Sequence, residues 1–174
     1  LAIPAAHVVG AKSGGTIAMK YAAEFPPRVT KLGLSTAPIK GPVTKAWREI
    51  SESRGVPAWA SETMPGRFGT ALPPDATVWW TELMARTAKT TLQSYLRWVP
   101  GIDLTEDVKT IGCPTLLIEG NEGPLHNLDN VRAWLKTIRR SELKIIECDG
   151  WHPGGARPDE CAPAVAEFFR RTMP

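Results

Sequence analysis

The sequence is poor in residues that bind metals or form disulfides. It contains three cysteines, Cys113, Cys148 and Cys161, and three histidines, with no Cys-x-x-Cys pair. Three thiols cannot all pair with one another, and the spacing of the cysteines and histidines is not that of a metal site. We therefore expect reduced thiols in a cytoplasmic protein, and no bound metal.

Long apolar runs and blocks of like charge are missing as well. No stretch approaches the roughly 20 apolar residues that a membrane-spanning helix needs. The 21 Lys and Arg residues are scattered among 18 Asp and Glu residues, without the basic stripe of a nucleic-acid-binding surface. We expect neither a membrane nor a nucleic acid as partner. The chain starts at Leu1 without a visible signal sequence, and we interpret it as a fragment, a processed chain or a chain whose N-terminal part is unobserved.

Segments typical of strands and helices alternate along most of the 174 residues. Strands are predicted at 8–10, 29–35, 114–119 and 143–148, and helices at 13–24, 128–138 and 162–171. This alternation predicts an α/β fold with a mostly parallel sheet that is covered by helices on both faces.

Residues 38–109 break the alternation. They hold five of the seven tryptophans and several prolines, and 77–98 is predicted as one long helical stretch. We interpret 38–109 as a helical cap insertion over the end of the sheet, and 1–37 with 110–174 as the core. Four tryptophans are candidates for an aromatic substrate pocket, although tryptophans of a small helical unit often form its own core. They are Trp79, Trp80, Trp98 and Trp151.

The stretch HVVGAKSGG at 7–15 has the outline of a strand, a sharp turn and a helix. Gly10 and Gly14 stand two residues before and after Lys12, where a G-x-Nuc-x-G nucleophile turn needs small residues. This register puts a lysine at the position of the nucleophile. A second register, in which Ala11 and Gly15 flank Ser13, would put a serine there and stays open.

Together with GGTIAMKYAAEFPPRV (14–29), IGCPTLLIEGNEGP (111–124) and CDGWHPGGARPDECAPAVAEFF (148–169), this stretch resembles the α/β-hydrolase family, in particular its lactonase-like and C–C-hydrolase-like members. WWTELMARTAKTTLQSYLRWVPGIDL (79–104) is similar to the family's cap helices. The early strands and one oxyanion-hole loop of the family have no counterpart. The resemblance implies a cofactor-independent enzyme that acts on a small carbonyl compound.

All three catalytic positions that the resemblance implies are altered. Lys12 stands at the place of the nucleophile. Gly123 takes the place of the acid, with Glu122 one residue earlier. The place of the histidine falls on Trp151, or on His152 after a shift of one residue in that loop. The candidate catalytic residues are Lys12, Ser13, Glu122 and His152.

A lysine at such a turn faces the positive end of a helix, which disfavours its ammonium form, and an apolar pocket lowers its pKa further. A neutral lysine forms Schiff bases with carbonyl compounds or acts as a general base. The sequence therefore supports an enzyme that cleaves an ester, lactone or C–C bond. It also supports a catalytically silent binding protein, in which Lys12 pairs with a carboxylate such as Glu122.

Two expectations concern the periphery of the fold. His126, in the loop after Glu122, is expected to be exposed. The sheet edge beside Val8 and Val9 would leave backbone groups unpaired. We expect an N-terminal segment of the same or another chain, or a second copy of the protein, to cover that edge.

Overall fold

The computed structural model describes residues 2–122 and 127–172. Four strands form a single sheet in the order β1-β2-β3-β4, and every neighbouring pair is parallel. They are β1 (Ala6–Ala11), β2 (Val29–Ser35), β3 (Thr115–Gly120) and β4 (Ser141–Ile146). Because all strands run in the same direction, their carboxyl ends meet at one edge of the sheet.

Eight α-helices accompany the strands in the part of the chain that the structure describes. In chain order they are α1 (Ser13–Glu24), α2 (Lys45–Ser53), α3 (Gly55–Phe68), α4 (Pro74–Ala85), α5 (Lys89–Trp98), α6 (Leu128–Leu135), α7 (Pro153–Ala156) and α8 (Pro158–Arg170). Helices α1 and α6 cover one face of the sheet, and α7 and α8 cover the other. The predicted two-sided α/β architecture is confirmed.

Strand β3 shows why its sequence is continuously apolar. Leu117 faces α1 and α6, whereas Leu116 and Ile118 face α8. All three side chains are at most 3% exposed. A strand between two parallel neighbours and two layers of helices buries both of its faces, so alternation with polar residues is lost.

Helices α2 to α5 connect β2 to β3, and we call them the inserted helices. Where one helix is predicted over 77–98, the structure has α4 and α5 with a break at residues 86–88. The break lets Leu92 and Leu96 of α5 pack on Val56 and Ala60 of α3, in a small core of their own. None of the helices within the described ranges is long and apolar enough to cross a bilayer.

Other element boundaries differ by a few residues from those predicted. Helix α8 starts at Pro158 instead of 162, because proline is favoured in a first helical turn and the acidic Asp159 and Glu160 suit the positive helix end. Strand β4 starts and ends two residues earlier than predicted. Helix α6 ends at Leu135, before the predicted 138.

Lys31 of β2 is only 8% exposed and holds the end of α8. Its ammonium donates hydrogen bonds of 2.9 Å to the carbonyl oxygens of Phe168 and Phe169, and a further bond to that of Arg171. The last carbonyls of a helix have no partners within the helix and carry partial negative charge. A buried cation on the sheet therefore fixes α8 to the core.

Strand β1 forms one edge of the sheet. Its Val9 side chain is 56% exposed and lies beside Gly33 of β2. The expectation that a further segment or a second copy covers this edge stays a prediction.

Candidate functional site

The turn between β1 and α1 puts Lys12 at its tip. Lys12 has φ 52° and ψ −127°, a region that residues with side chains rarely adopt. Ser13 is the first residue of α1. Strained backbone of this kind persists where the surrounding structure fixes it, often at functional sites. Of the two registers that the sequence leaves open, the structure adopts the one with Lys12 at the tip.

The glycines around the turn differ in how much room each leaves for a side chain. A Cβ on Gly10 would lie 2.5 Å from the carbonyl oxygen of Gly14, and one on Gly15 would lie 2.4 Å from the Cβ of Ala37. A Cβ on Gly14 would meet no atom within 4 Å. Close packing therefore requires glycine at positions 10 and 15, whereas the sequence motif indicates 10 and 14.

The loop after β4 is docked on the end of α3. The backbone N–H of Trp151 donates to the carbonyl of Gly66 at 3.0 Å, and that of His152 donates to the carbonyl of Arg67 at 2.9 Å. The Trp151 ring lies so close that a Cβ on Gly66 would approach it to 2.5 Å. The free carbonyls of a helix end thus fix the position of His152.

A cavity of about 890 Å³ lies at the carboxyl ends of the strands, beneath the inserted helices. Its floor includes Lys12, Ser13, Glu119, Trp151 and His152. The inserted helices contribute a further set of mostly aromatic and apolar side chains together with one arginine. They are Trp47, Trp59, Arg67, Met84 and Tyr95. This edge of a parallel sheet is where α/β proteins usually bind ligands.

Four of the ionisable side chains that line the cavity interact electrostatically with one another. The Lys12 ammonium donates a 2.7 Å hydrogen bond to the Trp151 carbonyl. Glu119, at the end of β3, is 3% exposed and interacts electrostatically with Lys12. Arg67 and His152 complete the group, and the charge of Arg67 acts on both Lys12 and His152.

Burial sets the protonation of these groups. It lowers the pKa of Lys12 to about 8, with the Glu119 carboxylate opposing and the Arg67 guanidinium adding to the effect. Burial raises the pKa of Glu119 to about 7 against the opposing effects of Lys12 and the Thr36 hydroxyl. Burial, and then the charges of Lys12 and Arg67, lower the pKa of His152 to about 4. Near neutral pH His152 is therefore uncharged, while Lys12 and Glu119 are both close to titrating.

His152 and Ser13 have different surroundings. The His152 ring stacks on Phe68 at a centroid distance of 5.7 Å, and its Nδ1 is buried with no hydrogen-bond partner among the described residues. The Ser13 hydroxyl is 2.5 Å from that of Tyr95 in α5. Ser13 therefore links the turn to the inserted helices, while its backbone N–H, at the start of α1, has no partner within the helix.

The remaining predicted site residues lie elsewhere or outside the described ranges. Glu122 is exposed and does not line the cavity. Trp79 is 57% exposed, Trp80 packs on Phe68, and Trp98 borders a separate surface groove. The structure thus differs from the prediction for Glu122 and for these three tryptophans, and only Trp151 of the predicted four lines the cavity. Gly123 and His126 lie outside the described residues.

Sequence reasoning missed Glu119 and Arg67. Glu119 ends the apolar run PTLLIE, and a charged residue in a buried strand requires a partner. The sequence therefore indicates that Glu119 needs a partner, but it does not identify Lys12 as that partner. Arg67 carries no comparable signal, because it is one of several basic residues in helical sequence. Among the described residues no group of three or more metal-binding side chains is assembled.

No protein-family model and no curated protein matches the chain by sequence. Solved structures match its shape at low identity. The enol-lactonase from Burkholderia xenovorans LB400 matches with a TM-score of 0.88 and 19% identity, over 97% of this chain and 67% of that one. MGS-M2, an alpha/beta hydrolase from a Medee basin deep-sea metagenome library, matches with a TM-score of 0.86 and 21% identity, over 99% and 68%.

The esterase EaEST from Exiguobacterium antarcticum matches with a TM-score of 0.82 and 16% identity, over 95% of this chain and 66% of that one. The chain spans about two thirds of the length of each of these proteins. It has the α/β-hydrolase fold, as its sequence predicts.

Proposed function

We propose that the chain is a hydrolase of the α/β-hydrolase fold that cleaves an ester, lactone or C–C bond of a small carbonyl compound, with Lys12 as the central catalytic residue. The observation that carries the proposal is Lys12 itself, held at a strained turn in the floor of a cavity with its pKa lowered to about 8. The turn then serves as a nucleophile elbow, and the inserted helices serve as a cap. The lactonase and the esterase of similar shape support hydrolysis.

The chemistry of an amine decides how Lys12 would act on each substrate. With a β-hydroxy ketone, the neutral amine adds to the carbonyl carbon, and the resulting hydroxyl takes a proton and leaves as water, which gives an iminium ion. The electron pair of the adjacent C–C bond then flows into the iminium to give an enamine, while the β-hydroxyl loses its proton and that fragment leaves as a carbonyl compound. The enamine carbon takes a proton, and water releases the second carbonyl product and the free amine. With an ester or lactone, attack by the amine would leave a stable amide on the enzyme. There Lys12 acts as a general base that takes a proton from the attacking water.

The neighbouring groups have separate roles in this proposal. The backbone N–H of Ser13, at the positive end of α1, stabilises the negative charge that develops on the carbonyl oxygen. Neutral His152 accepts or returns a proton at the leaving group. Glu119 sets the fraction of Lys12 that is neutral, because its carboxylate favours the ammonium form.

A silent binding protein is the second candidate. The hydrogen bond from Lys12 to the Trp151 carbonyl and the buried Glu119 nearby favour it, because both stabilise a charged, structural lysine. In that case the cavity would bind a carbonyl compound without converting it. A cytoplasmic location is proposed for both candidates, since the cysteines Cys113, Cys148 and Cys161 are unpaired.

Reductive trapping separates the candidates. The protein is incubated with 4-phenylbutan-2-one, an aromatic methyl ketone, and sodium borohydride, and modified lysines are located by peptide mass spectrometry. We expect modification of Lys12 at neutral pH and none of Lys20, an exposed and ion-paired lysine on the helix that follows Lys12. Equal labelling of both lysines, or none of Lys12, contradicts a Schiff base. Hydrolysis of a small aryl ester then decides between a general base and a silent site.

A further inference from the structure

Arg67 is a charged residue of the cavity lining to which the proposed function gives no role. Its guanidinium carbon lies over the Trp59 ring at 5.3 Å from the centroid and over the Trp151 ring at 5.7 Å. The Nε atom is buried and has no hydrogen-bond partner among the described residues. The one side-chain bond of Nη2 within that part of the chain is a long contact of 3.4 Å to the Thr63 hydroxyl. Most of the donors of this guanidinium therefore have no partner that residues 2–122 or 127–172 provide.

No carboxylate of residues 2–122 or 127–172 forms an ion pair with Arg67. A cation in such a position is costly unless an anion meets it. The guanidinium remains charged at neutral pH, because burial lowers the pKa of Arg67 only to about 10.

The charges around Arg67 do not supply that anion. Lys12 and Arg67 are cationic, and each lowers the pKa of His152. Glu119, on the floor of the cavity, acts electrostatically on Lys12. The described lining thus carries more positive than negative charge, which favours an anionic ligand.

We infer that the substrate or ligand of this cavity carries a carboxylate, and that this carboxylate accepts hydrogen bonds from the Arg67 guanidinium beside Trp59 and Trp151. Both rings contact the guanidinium carbon, and the N–H donors of a guanidinium lie in one plane, the geometry that suits a planar carboxylate. Aromatic walls then hold the apolar part of the same molecule. The inference rests on the proposed function in using the same cavity, but it requires no reaction at Lys12.

Binding of small probes tests the inference without turnover. The probes are 3-phenylpropanoate, its uncharged amide, and 3-phenylpropylphosphonate, titrated by calorimetry into the whole 174-residue chain. We expect the carboxylate to bind at least about tenfold more tightly than the amide, as a charge-assisted pair implies. The variant Arg67→Gln should lose this preference, and Arg67→Lys should keep part of it.

Two further variants serve as controls. Arg54→Gln removes an exposed arginine at the other end of the same helical segment, where it pairs with Glu62, and should leave probe binding unchanged. Lys12→Met should keep the preference for the carboxylate, so failure of the catalytic proposal is distinguished from failure of this one. Circular dichroism establishes that each variant is folded.

The inference is overturned if no probe binds, if acid and amide bind equally, or if folded Arg67→Gln keeps the preference. Equal or tighter binding of the phosphonate overturns the assignment to a carboxylate. Loss of the preference in Lys12→Met with retention in Arg67→Gln assigns the anion to Lys12 and also contradicts it.

Discussion

Lys12 and Trp151 are joined across the site by a 2.7 Å hydrogen bond from the Lys12 ammonium to the Trp151 carbonyl. The two residues belong to connections 139 positions apart, one leading out of β1 and the other out of β4. The lysine at the strained turn thus also holds the loop that carries His152. Catalytic and structural roles of Lys12 have to be measured separately.

Lys12→Ala should lower kcat/KM for a carbonyl substrate by about 100- to 10,000-fold, the range of a general acid–base group. Its melting temperature should change little, because the lost hydrogen bond is offset by removal of a buried amine. Lys20→Ala, on the exposed side of α1, is the matched control for both measurements. Full activity of Lys12→Ala would exclude a catalytic lysine and make Ser13 the leading nucleophile.

The pH dependence of kcat/KM should report the pKa of Lys12. Activity requires the neutral amine, so the rate should rise with pH and reach half its plateau near pH 8, well below the roughly 10.4 of an ordinary lysine. Glu119→Gln removes the carboxylate that raises this pKa. The half-point should then move to lower pH. A half-point that stays in place or moves upward in Glu119→Gln would contradict the coupling of the two residues.

Adjacent glycines give a matched pair of substitutions. Gly15→Ala should destabilise the protein by about 1–3 kcal/mol, because its Cβ would overlap the Cβ of Ala37. Gly14→Ala has open space and should be neutral or stabilise α1 by about 0.5–1 kcal/mol. Urea unfolding of both variants measures the difference. Equal stabilities, or the reverse order, would show that the turn packs differently.

Leu117→Asp should prevent stable folding. Leu117 of β3 is fully buried, and an unpaired carboxylate there costs several kcal/mol. Val78→Asp places the same charge on α4 at a side chain that is 56% exposed, and should change stability by less than about 0.5 kcal/mol. Thermal unfolding of the two variants compares them. An unchanged melting temperature for Leu117→Asp would refute the placement of β3.

The sequence predicted the elements whose signals are local. Helix α1 has its predicted bounds, because the turn glycines mark its start and Pro26 its end. The apolar run of β3 identified a central strand. The prediction of one continuous helix over 77–98 was wrong. The break at 86–88 depends on the packing of α5 against α3, and the local sequence carries no strong signal for it.

The candidate site was less predictable because its contacts are between distant segments. Glu122 was the carboxylate closest in sequence to the expected acid position, but the strand direction buries Glu119 beside Lys12 instead. Which tryptophans of the inserted helices line the cavity depends on how each helix is rotated about its axis. Trp59 of α3 faces the cavity, whereas Trp79 of α4 faces solvent. Amino-acid type alone does not determine that rotation.

The docking of the loop after β4 on the end of α3 couples access to the cavity with assembly of the site. Trp151 and His152 donate their backbone N–H groups to the carbonyls of Gly66 and Arg67. A movement that lifts α3 to admit a ligand must break these two bonds or carry His152 away from Lys12. A form of the protein with α3 displaced would therefore lack either the ordered loop after β4 or the position of His152 beside Lys12.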